Sequence, residues 1–481
     1  MGILNLENFA GGIREMELNK KINDLKTDLI KSTQKLIRIK SVESEPKEGM
    51  PFGEGVAQAL NCALSIGKKL GFKTKNLDGY VGYVEYGEGE EYIGVLGHLD
   101  VVPEGEGWSH PPYAAEIHEG KIYGRGALDD KGPIIAALYG LKAIKDINLP
   151  LKKKVRIIFG TNEETGSKEM KYYLEREKPP VAGFTPDAEY PLIFAEKGIL
   201  NFNIKKELKE QNSSKFKIQY IKGGQRLNMV PDYCEAGIAS KEKDYVIKTL
   251  EKFKNKSNYD LTAHIKSDKV VIKSVGVSAH GSTPAAGKNA IMQMLKFIEF
   301  LCDENGDRNF YEISSFLNEK IGFEVNGQSC GIGFEDEDSG KLTLNVGTID
   351  AEEDNFSMGI NIRYPVTYKL EELINPLKDV LEKGNISIQD IDNKNPLYYP
   401  KDHPLIKTLL KVYNDQTGED RQPIAIGGGT YAKKMPNIVA FGPIFPGKPD
   451  LDHQVNEYIE IEDLVMNAKI YANAIYELAK K

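Results

Sequence analysis

Hydrophobic positions recur at helical spacing near the start of the chain and then form short apolar runs. Between residues 17 and 40, residues such as Leu25 and Leu29 share one face among charged positions, which predicts an amphipathic helix. Residues 55–70 predict a second helix. The apolar run that begins at Tyr92 is typical of a strand buried on both faces.

Predicted helices and strands continue to alternate after that strand. Residues 132–145 begin with Gly-Pro and keep an apolar face, which predicts a helix with proline in its first turn. Residues 155–159 predict another buried strand. Strand, helix and strand in this order predict a parallel sheet, in which ligands gather at the carboxyl ends of the strands.

The pattern of apolar and charged residues changes at about residue 197 and returns to the earlier pattern near residue 393. The middle section has shorter alternating segments that are rich in lysine and glutamate, which indicates a separate α+β unit. A chain of 481 residues also exceeds what one hydrophobic core usually supports. We therefore predict an α/β catalytic domain, with a mixed and largely parallel sheet flanked by helices, formed by residues 1–196 and 394–481, and an inserted α+β domain formed by residues 197–393.

Composition and net charge bear on whether the protein binds nucleic acid or a membrane. With 40% hydrophobic and 28% charged residues, the chain has the composition of an ordinary globular protein, and its net charge of -8 offers no positive field for nucleic acid. The first residues lack the pattern of a secretory signal, and no apolar run is long enough for a membrane helix. We expect a cytoplasmic protein with no nucleic-acid or membrane partner.

The first candidate metal-binding residues fall in two clusters. His98 and Asp100 lie two residues apart at a predicted strand end and project to the same side, as a metal ligand with its supporting carboxylate or as a satisfied buried pair. Asp129 and Asp130, in GRGALDDKGP, precede a predicted helix, where carboxylates serve either as capping groups or as metal ligands.

Three further clusters complete a ligand set. Glu163 and Glu164 follow a predicted buried strand, and adjacent carboxylates repel unless a cation or shared proton relieves them, although a solvated loop is an alternative. Asp187 and His453 could each be loop or capping residues. Taken together, three carboxylates and two histidines at predicted strand ends suit zinc, cobalt or manganese, and a shared carboxylate fits a two-metal hydrolase.

The order of these motifs resembles a known family. GHLDVVP, GRGALDDKG, TNEETGS, TPDAEYP and DHQVNE resemble segments of the co-catalytic di-zinc metallopeptidases, which include aminoacylase, carnosinases and the PepV-like dipeptidases, with the last as the nearest match. The resemblance spans essentially the whole chain. It implies a zinc-peptidase type catalytic domain with an inserted lid domain, and two divalent metal ions, with zinc expected and manganese or cobalt as alternatives.

The resemblance also assigns roles within the metal centre. It implies that one metal is held by His98 and Asp187, the other by Glu164 and His453, and both by Asp129. Glu163 would be the general base, which takes a proton from the attacking water between the metals and passes it to the departing amine. Asp100 would orient His98, and the peptide bond from Asp129 to Asp130 would be cis.

The resemblance extends to the insert and to a late glycine loop. His280, in VGVSAHGSTPAAGKNA, would stabilise the oxyanion of the tetrahedral intermediate. Arg363 has the planar fork that suits a terminal carboxylate. The residues that match substrate-binding positions of the family are Asn228, Arg363, Gly427, Gly428 and Gly429. Without the resemblance these would be interpreted as turn and rim residues.

The predicted function is a metal-dependent dipeptidase that hydrolyses unprotected dipeptides. A monomer is expected, because in PepV-like relatives an enlarged lid takes the place of a partner subunit. One alternative is an N-acyl amino acid deacylase of the same family. A second, a non-catalytic metal- or peptide-binding protein, is disfavoured because Glu163 is present.

Overall fold

The structure is a computed structural model that describes residues 2–209, 215–303 and 306–480. It divides into two compact units. Unit 1 comprises Met1–Phe194, Tyr399–Ile424 and Thr430–Lys481, and unit 2 comprises Ala195–Tyr398 and Ala425–Gly429. Within the described ranges, every helix is too short or too polar to cross a membrane.

The helices are α1 (Gly2–Ile37), α2 (Glu54–Lys69), α3 (Lys131–Asp146), α4 (Lys168–Leu174), α5 (Lys243–Lys254), α6 (Ala290–Cys302), α7 (Arg308–Lys320), α8 (Leu370–Glu382), α9 (Pro404–Thr417) and α10 (Ile461–Ala479). The first strands are β1 (Lys73–Leu77), β2 (Val81–Tyr86), β3 (Tyr92–His98), β4 (Ile117–His118), β5 (Lys121–Tyr123), β6 (Lys154–Gly160), β7 (Ala182–Thr185), β8 (Ala188–Glu189), β9 (Ile193–Glu196), β10 (Gly198–Glu207), β11 (Phe216–Gly223) and β12 (Tyr233–Ser240). The later strands are β13 (Asp260–Lys266), β14 (Lys269–Val275), β15 (Glu335–Asp336), β16 (Gly340–Lys341), β17 (Thr343–Glu352), β18 (Asn355–Tyr364), β19 (Ser387–Lys394), β20 (Leu397–Tyr398), β21 (Ile424–Ile426), β22 (Ile438–Ala440), β23 (Pro443–Ile444) and β24 (Tyr458–Glu460).

Unit 1 is built on a mixed sheet in the order β1-β2-β6-β3-β7-β22-β9. Strand β3 runs parallel to β6 and β7, and β22 runs parallel to β7, whereas β1 and β2 pair antiparallel at the edge. Every residue of β3 is buried, as its unbroken apolar sequence predicts for a central strand covered on both faces. The parallel strands therefore end at one edge of the sheet.

Helices α3 and α10 pack closely within unit 1. A Cβ atom on Gly140 of α3 would lie only 2.9 Å from the backbone nitrogen of Ala472 on α10, so glycine is needed for this approach. Helix α1 begins earlier than predicted and ends at Ile37, within the predicted range. Helix α3 begins at Lys131, immediately after the Asp129-Asp130 pair, and so holds that pair next to the sheet edge.

Unit 2 is built on an antiparallel sheet in the order β13-β14-β12-β11-β17-β18-β10-β19. Apolar side chains from its strands and from α5 to α8 form one core, which includes Phe202, Phe297 and Tyr364. The predicted fold class, a mixed α/β sheet flanked by helices together with an α+β unit, is confirmed. The domain boundaries at 196/197 and 393/394, and the lid role of the insert, stay predictions.

Candidate metal centre

The site begins where three neighbouring parallel strands end. His98 is the last residue of β3 and lies in register with Gly160, the last residue of β6. Glu163 and Glu164 lie three and four residues after the end of β6, and Asp187 lies two residues after the end of β7. Because these strand ends share one edge of the sheet, side chains distant in sequence lie side by side.

The five predicted ligands form two groups that share one carboxylate. His98 Nε2 lies 2.8 Å from Asp129 Oδ1 and 3.9 Å from Asp187 Oδ1. His453 Nε2 lies 3.0 Å from Glu164 Oε2 and 3.3 Å from Asp129 Oδ2. Each oxygen of Asp129 therefore faces a different histidine, and each group has the spacing of a metal-ligand set.

The hydrogen bonding of His98 fits a cation. Its Nδ1 lies 3.0 Å from the backbone carbonyl oxygen of Asp100, which can only accept, so Nδ1 carries a proton and donates it. In a neutral ring Nε2 then presents a lone pair to two carboxylates. Burial opposes charge on this ring, but the Asp129 carboxylate raises the pKa of His98 well above its ordinary value, so a proton and a cation compete for Nε2.

The carboxylates around this histidine are crowded and buried. Burial, and then repulsion from Asp129, raises the pKa of Asp187 well above its ordinary value. Burial likewise raises the pKa of Glu163 to about 7, against the opposing charge of His98. A divalent cation in each group would neutralise the repulsion between these oxygens. The donor set therefore fits two cations that share Asp129.

Asp100 supports both halves of the site. Its carboxylate Oδ1 lies 3.6 Å from His98 Nδ1, so the shorter contact to this histidine is made by its backbone carbonyl. The two carboxylate oxygens instead accept hydrogen bonds from the backbone N–H groups of Glu163 and Glu164, both at 3.1 Å. Asp100 thus positions the glutamate pair as well as the histidine.

His453 occupies an exposed loop and has left-handed backbone geometry, with φ of 64°. Hydrogen bonds from its ring to Asp129 and Glu164 raise the pKa of His453 to about 10. A cation at this position would displace the proton that the two carboxylates otherwise hold on the ring. The second group thus has the same chemistry as the first, with an exposed histidine beside two carboxylates that are only 10% and 7% exposed.

Comparison with known proteins places this geometry in a family. Residues 94–477, which include all five candidate ligands, match the peptidase family M20/M25/M40. The chain belongs to this family. It is 42% identical over 471 residues to "Putative dipeptidase YtjP" of Bacillus subtilis (strain 168), covering 97% of this chain and 99% of that one.

Two solved structures share the fold of this family member. It is similar to the M20 family metallo-carboxypeptidase Sso-CP2 from Sulfolobus solfataricus, with a TM-score of 0.55, 16% identity and coverage of 94% of this chain and 99% of that one. It is also similar to the di-peptidase Dug1p from Saccharomyces cerevisiae, with a TM-score of 0.56, 15% identity and coverage of 97% and 99%. The predicted family resemblance is confirmed.

Two buried residues of this M20 protein, Glu457 and Arg125, support the backbone at Asp129 and were missed by sequence reasoning. Glu457 is fully buried and accepts hydrogen bonds from the backbone N–H groups of Leu128, at 2.8 Å, and Asp129, at 3.2 Å. Its second oxygen accepts from Gly126 N–H at 3.1 Å and from the Arg125 guanidinium at 2.8 Å. Glu457 therefore fixes the backbone that carries Asp129. Its place as the last residue of the DHQVNE motif, four residues after His453, was the available signal.

Asp130, which the sequence left as a capping residue or ligand, has another position. The Asp129-Asp130 peptide bond is cis, as the resemblance implied. The buried Asp130 Oδ2 accepts a hydrogen bond from the backbone N–H of His98 at 3.1 Å. This side chain joins the start of α3 to the end of β3, and it belongs to neither candidate ligand group.

In unit 2, Arg363 lies next to the glycine loop. Its side chain is buried, with Nε donating to Asn361 Oδ1 at 3.0 Å and Nη1 donating to the carbonyl oxygen of Gly427 at 3.3 Å. Burial lowers the pKa of Arg363 to about 10. Among the described residues no carboxylate forms an ion pair with this guanidinium, so it can accept an anionic partner.

The other predicted substrate-binding residues of unit 2 are close to this arginine. Burial and the charge of Arg363 lower the pKa of His280, so the ring is neutral at pH 7. His280 pairs through its backbone with Met229, and the backbone carbonyl of Asn228 accepts from Gly281 N–H at 2.7 Å. The structure thus brings Asn228, His280, Arg363 and Gly427 into one cluster of unit 2. Their roles stay predictions.

Proposed function

We propose that this M20 family member is a dipeptidase that hydrolyses unprotected dipeptides with the help of two divalent cations, of which zinc is the expected one. The observation that carries the proposal is the sharing of Asp129, whose two oxygens face His98 and His453 at 2.8 and 3.3 Å. Relatives along the whole chain carry dipeptidase names, which supports small peptides as substrates.

The donor set assigns each ligand to one cation. His98 and Asp187 would hold one, Glu164 and His453 the other, and Asp129 both. When bound, such cations polarise a carbonyl group and make a water molecule acidic enough to attack at neutral pH. Imidazole nitrogens and carboxylate oxygens suit zinc, and also manganese and cobalt.

Glu163 is the proposed proton carrier. It belongs to neither candidate ligand group, yet its backbone is held beside Glu164 by the Asp100 carboxylate. Its carboxylate would accept a proton from the attacking water and then donate it to the nitrogen of the departing amine. His280, neutral and able to donate one N–H, would stabilise the developing oxyanion.

Arg363 and the adjacent glycine loop are proposed to bind the terminal carboxylate of the substrate. A buried guanidinium without an acidic partner stabilises an anion strongly, because little water competes for the charge. Every free peptide presents its terminal carboxylate one residue from its last peptide bond, so fixing the carboxylate selects that bond. In a dipeptide this is the only peptide bond.

Replacing Arg363 by methionine is expected to lower kcat/KM for a free dipeptide by about ten- to hundredfold, the usual contribution of a hydrogen bond to a charged group. For the same dipeptide with an amidated carboxyl terminus, wild type and variant should have similar, low rates. Steady-state kinetics on both substrates measures this difference. An equal loss on the free and amidated substrates would contradict the proposed contact, and Arg363→Lys should recover part of the rate.

The direct test of function compares an unprotected dipeptide with its N-acetylated equivalent after metal reconstitution. The proposal predicts faster release of amino acids from the unprotected dipeptide. Preference for the N-acetylated compound would instead favour an N-acyl amino acid deacylase. Protein that binds metal but cleaves neither substrate would favour the binding-protein alternative.

A monomer is proposed, and light scattering of the metal-loaded protein at assay concentration should give one chain of 53.6 kDa per particle. Location in the cytoplasm is proposed from the similarity to bacterial proteins with dipeptidase names, and cell fractionation would test it.

A further inference from the structure

A second histidine-rich cluster lies in unit 1 outside the candidate metal centre. His118 Nε2 lies 3.1 Å from Glu116 Oε2, and His110 Nδ1 lies 3.5 Å from the same oxygen. The three ligand atoms all lie within 4.8 Å of one another. Their side chains are 26% exposed for His110, 43% for Glu116 and 49% for His118, so a cation could reach them from solvent.

The spacing of these atoms fits a small transition-metal ion. Zinc binds imidazole nitrogen and carboxylate oxygen at about 2.0–2.2 Å, so two of its tetrahedral ligands lie about 3.3 Å apart. The two nitrogen–oxygen distances of the cluster, 3.1 and 3.5 Å, bracket this value. Two imidazoles and one carboxylate fill three of the four coordination positions of a tetrahedral ion and leave the fourth for water, as in open zinc sites.

The cluster is supported by fixed backbone. His118 is the last residue of β4 and Glu116 immediately precedes that strand, so the two side chains, two residues apart, project to the same side. Tyr123 N–H donates to the Glu116 carbonyl oxygen at 2.9 Å across the β4–β5 hairpin. The His110 ring packs against the Tyr123 ring with centroids 4.1 Å apart. Little rearrangement is therefore needed to bind a cation.

We propose that His110, Glu116 and His118 form a third divalent-cation site, which takes a borderline transition metal such as zinc or nickel rather than magnesium. A cation here would connect the segment before β4 to the β4–β5 hairpin. Next to it, Ser109 N–H donates to Asn456 Oδ1 at 2.6 Å, which links the cluster to the loop that carries His453. The proposal does not depend on the dipeptidase function.

Chemical labelling of histidines tests the site without an activity assay. Protein whose catalytic centre is already loaded is treated with diethyl pyrocarbonate, with and without added Zn²⁺, and labelled peptides are quantified by mass spectrometry. When Zn²⁺ exceeds the dissociation constant about tenfold, only about one-tenth of the site is free, so labelling of His110 and His118 should slow about tenfold. The exposed His264 should be labelled at an unchanged rate, and Mg²⁺ should protect none of them.

Two variants separate a bound cation from a simple histidine–glutamate hydrogen bond. In His118→Ala, zinc should no longer protect His110, and the zinc bound at saturation should fall by one equivalent. The matched variant His264→Ala should keep both the protection and the third equivalent. If zinc leaves the labelling of His110 and His118 unchanged in the wild type, or if His118→Ala binds as much zinc as wild type, the site does not exist.

Discussion

Replacing Glu163 by glutamine is expected to lower kcat by about 10²–10⁴, which is the usual contribution of a positioned general base. Glutamine keeps the size and hydrogen-bonding shape of the side chain but cannot take a proton from water. Because Glu163 belongs to neither candidate ligand group, metal content after reconstitution should equal that of the wild type. Glu163→Ala should behave in the same way.

Dipeptide turnover and elemental analysis on the same samples measure these two quantities. The matched control is Glu119→Gln, which removes an exposed carboxylate of the same unit and should leave both unchanged. A Glu163→Gln protein with near-normal turnover would reject Glu163 as the base. A variant that has lost its metals would show instead that Glu163 is a ligand.

Replacing Arg125 by methionine is expected to destabilise the protein by about 3–5 kcal/mol, because it leaves one partner of a buried ion pair uncompensated. The Arg125 and Glu457 side chains are 2% and 0% exposed, and their charged atoms are 2.8 Å apart. Arg125 also donates to the His453 carbonyl oxygen at 3.2 Å, so its loss should weaken metal binding at that histidine as well.

Urea unfolding of the metal-loaded proteins gives the free-energy difference. Lys47→Met is the matched control, since the Lys47–Glu54 pair is 59% and 55% exposed and exposed pairs contribute about 0–1 kcal/mol. If the two methionine variants unfold at the same urea concentration, the buried pair has no special role.

Much of the site was predictable because its residues follow apolar runs. The run that ends at His98 and the run before Glu163 are short and largely apolar, and their burial in adjacent parallel strands follows from that composition. Parallel strands with a helical crossover place their carboxyl ends together, which brings His98 and Glu164 to the same edge. The strands, helix α3 and the ligand set could therefore be predicted from local sequence patterns.

The supporting contacts were not predictable in this way. Glu457 reaches Asp129 through tertiary packing across more than three hundred residues, and its place at the end of DHQVNE does not show that its side chain is buried. The contact of His98 with the Asp100 carbonyl instead of its carboxylate depends on a local backbone turn that the i, i+2 spacing does not specify. The antiparallel order of unit 2 likewise depends on long-range pairing, such as β10 with β18.

A pair of cations joined by one aspartate is the central prediction, and anomalous diffraction at the zinc absorption edge tests it most directly. Crystals of zinc-loaded protein should show two peaks about 3.5–4 Å apart, both in contact with Asp129, one also bound by His98 and Asp187 and the other by Glu164 and His453. A single peak among these five side chains, or none while zinc is bound elsewhere in the crystal, would contradict the account.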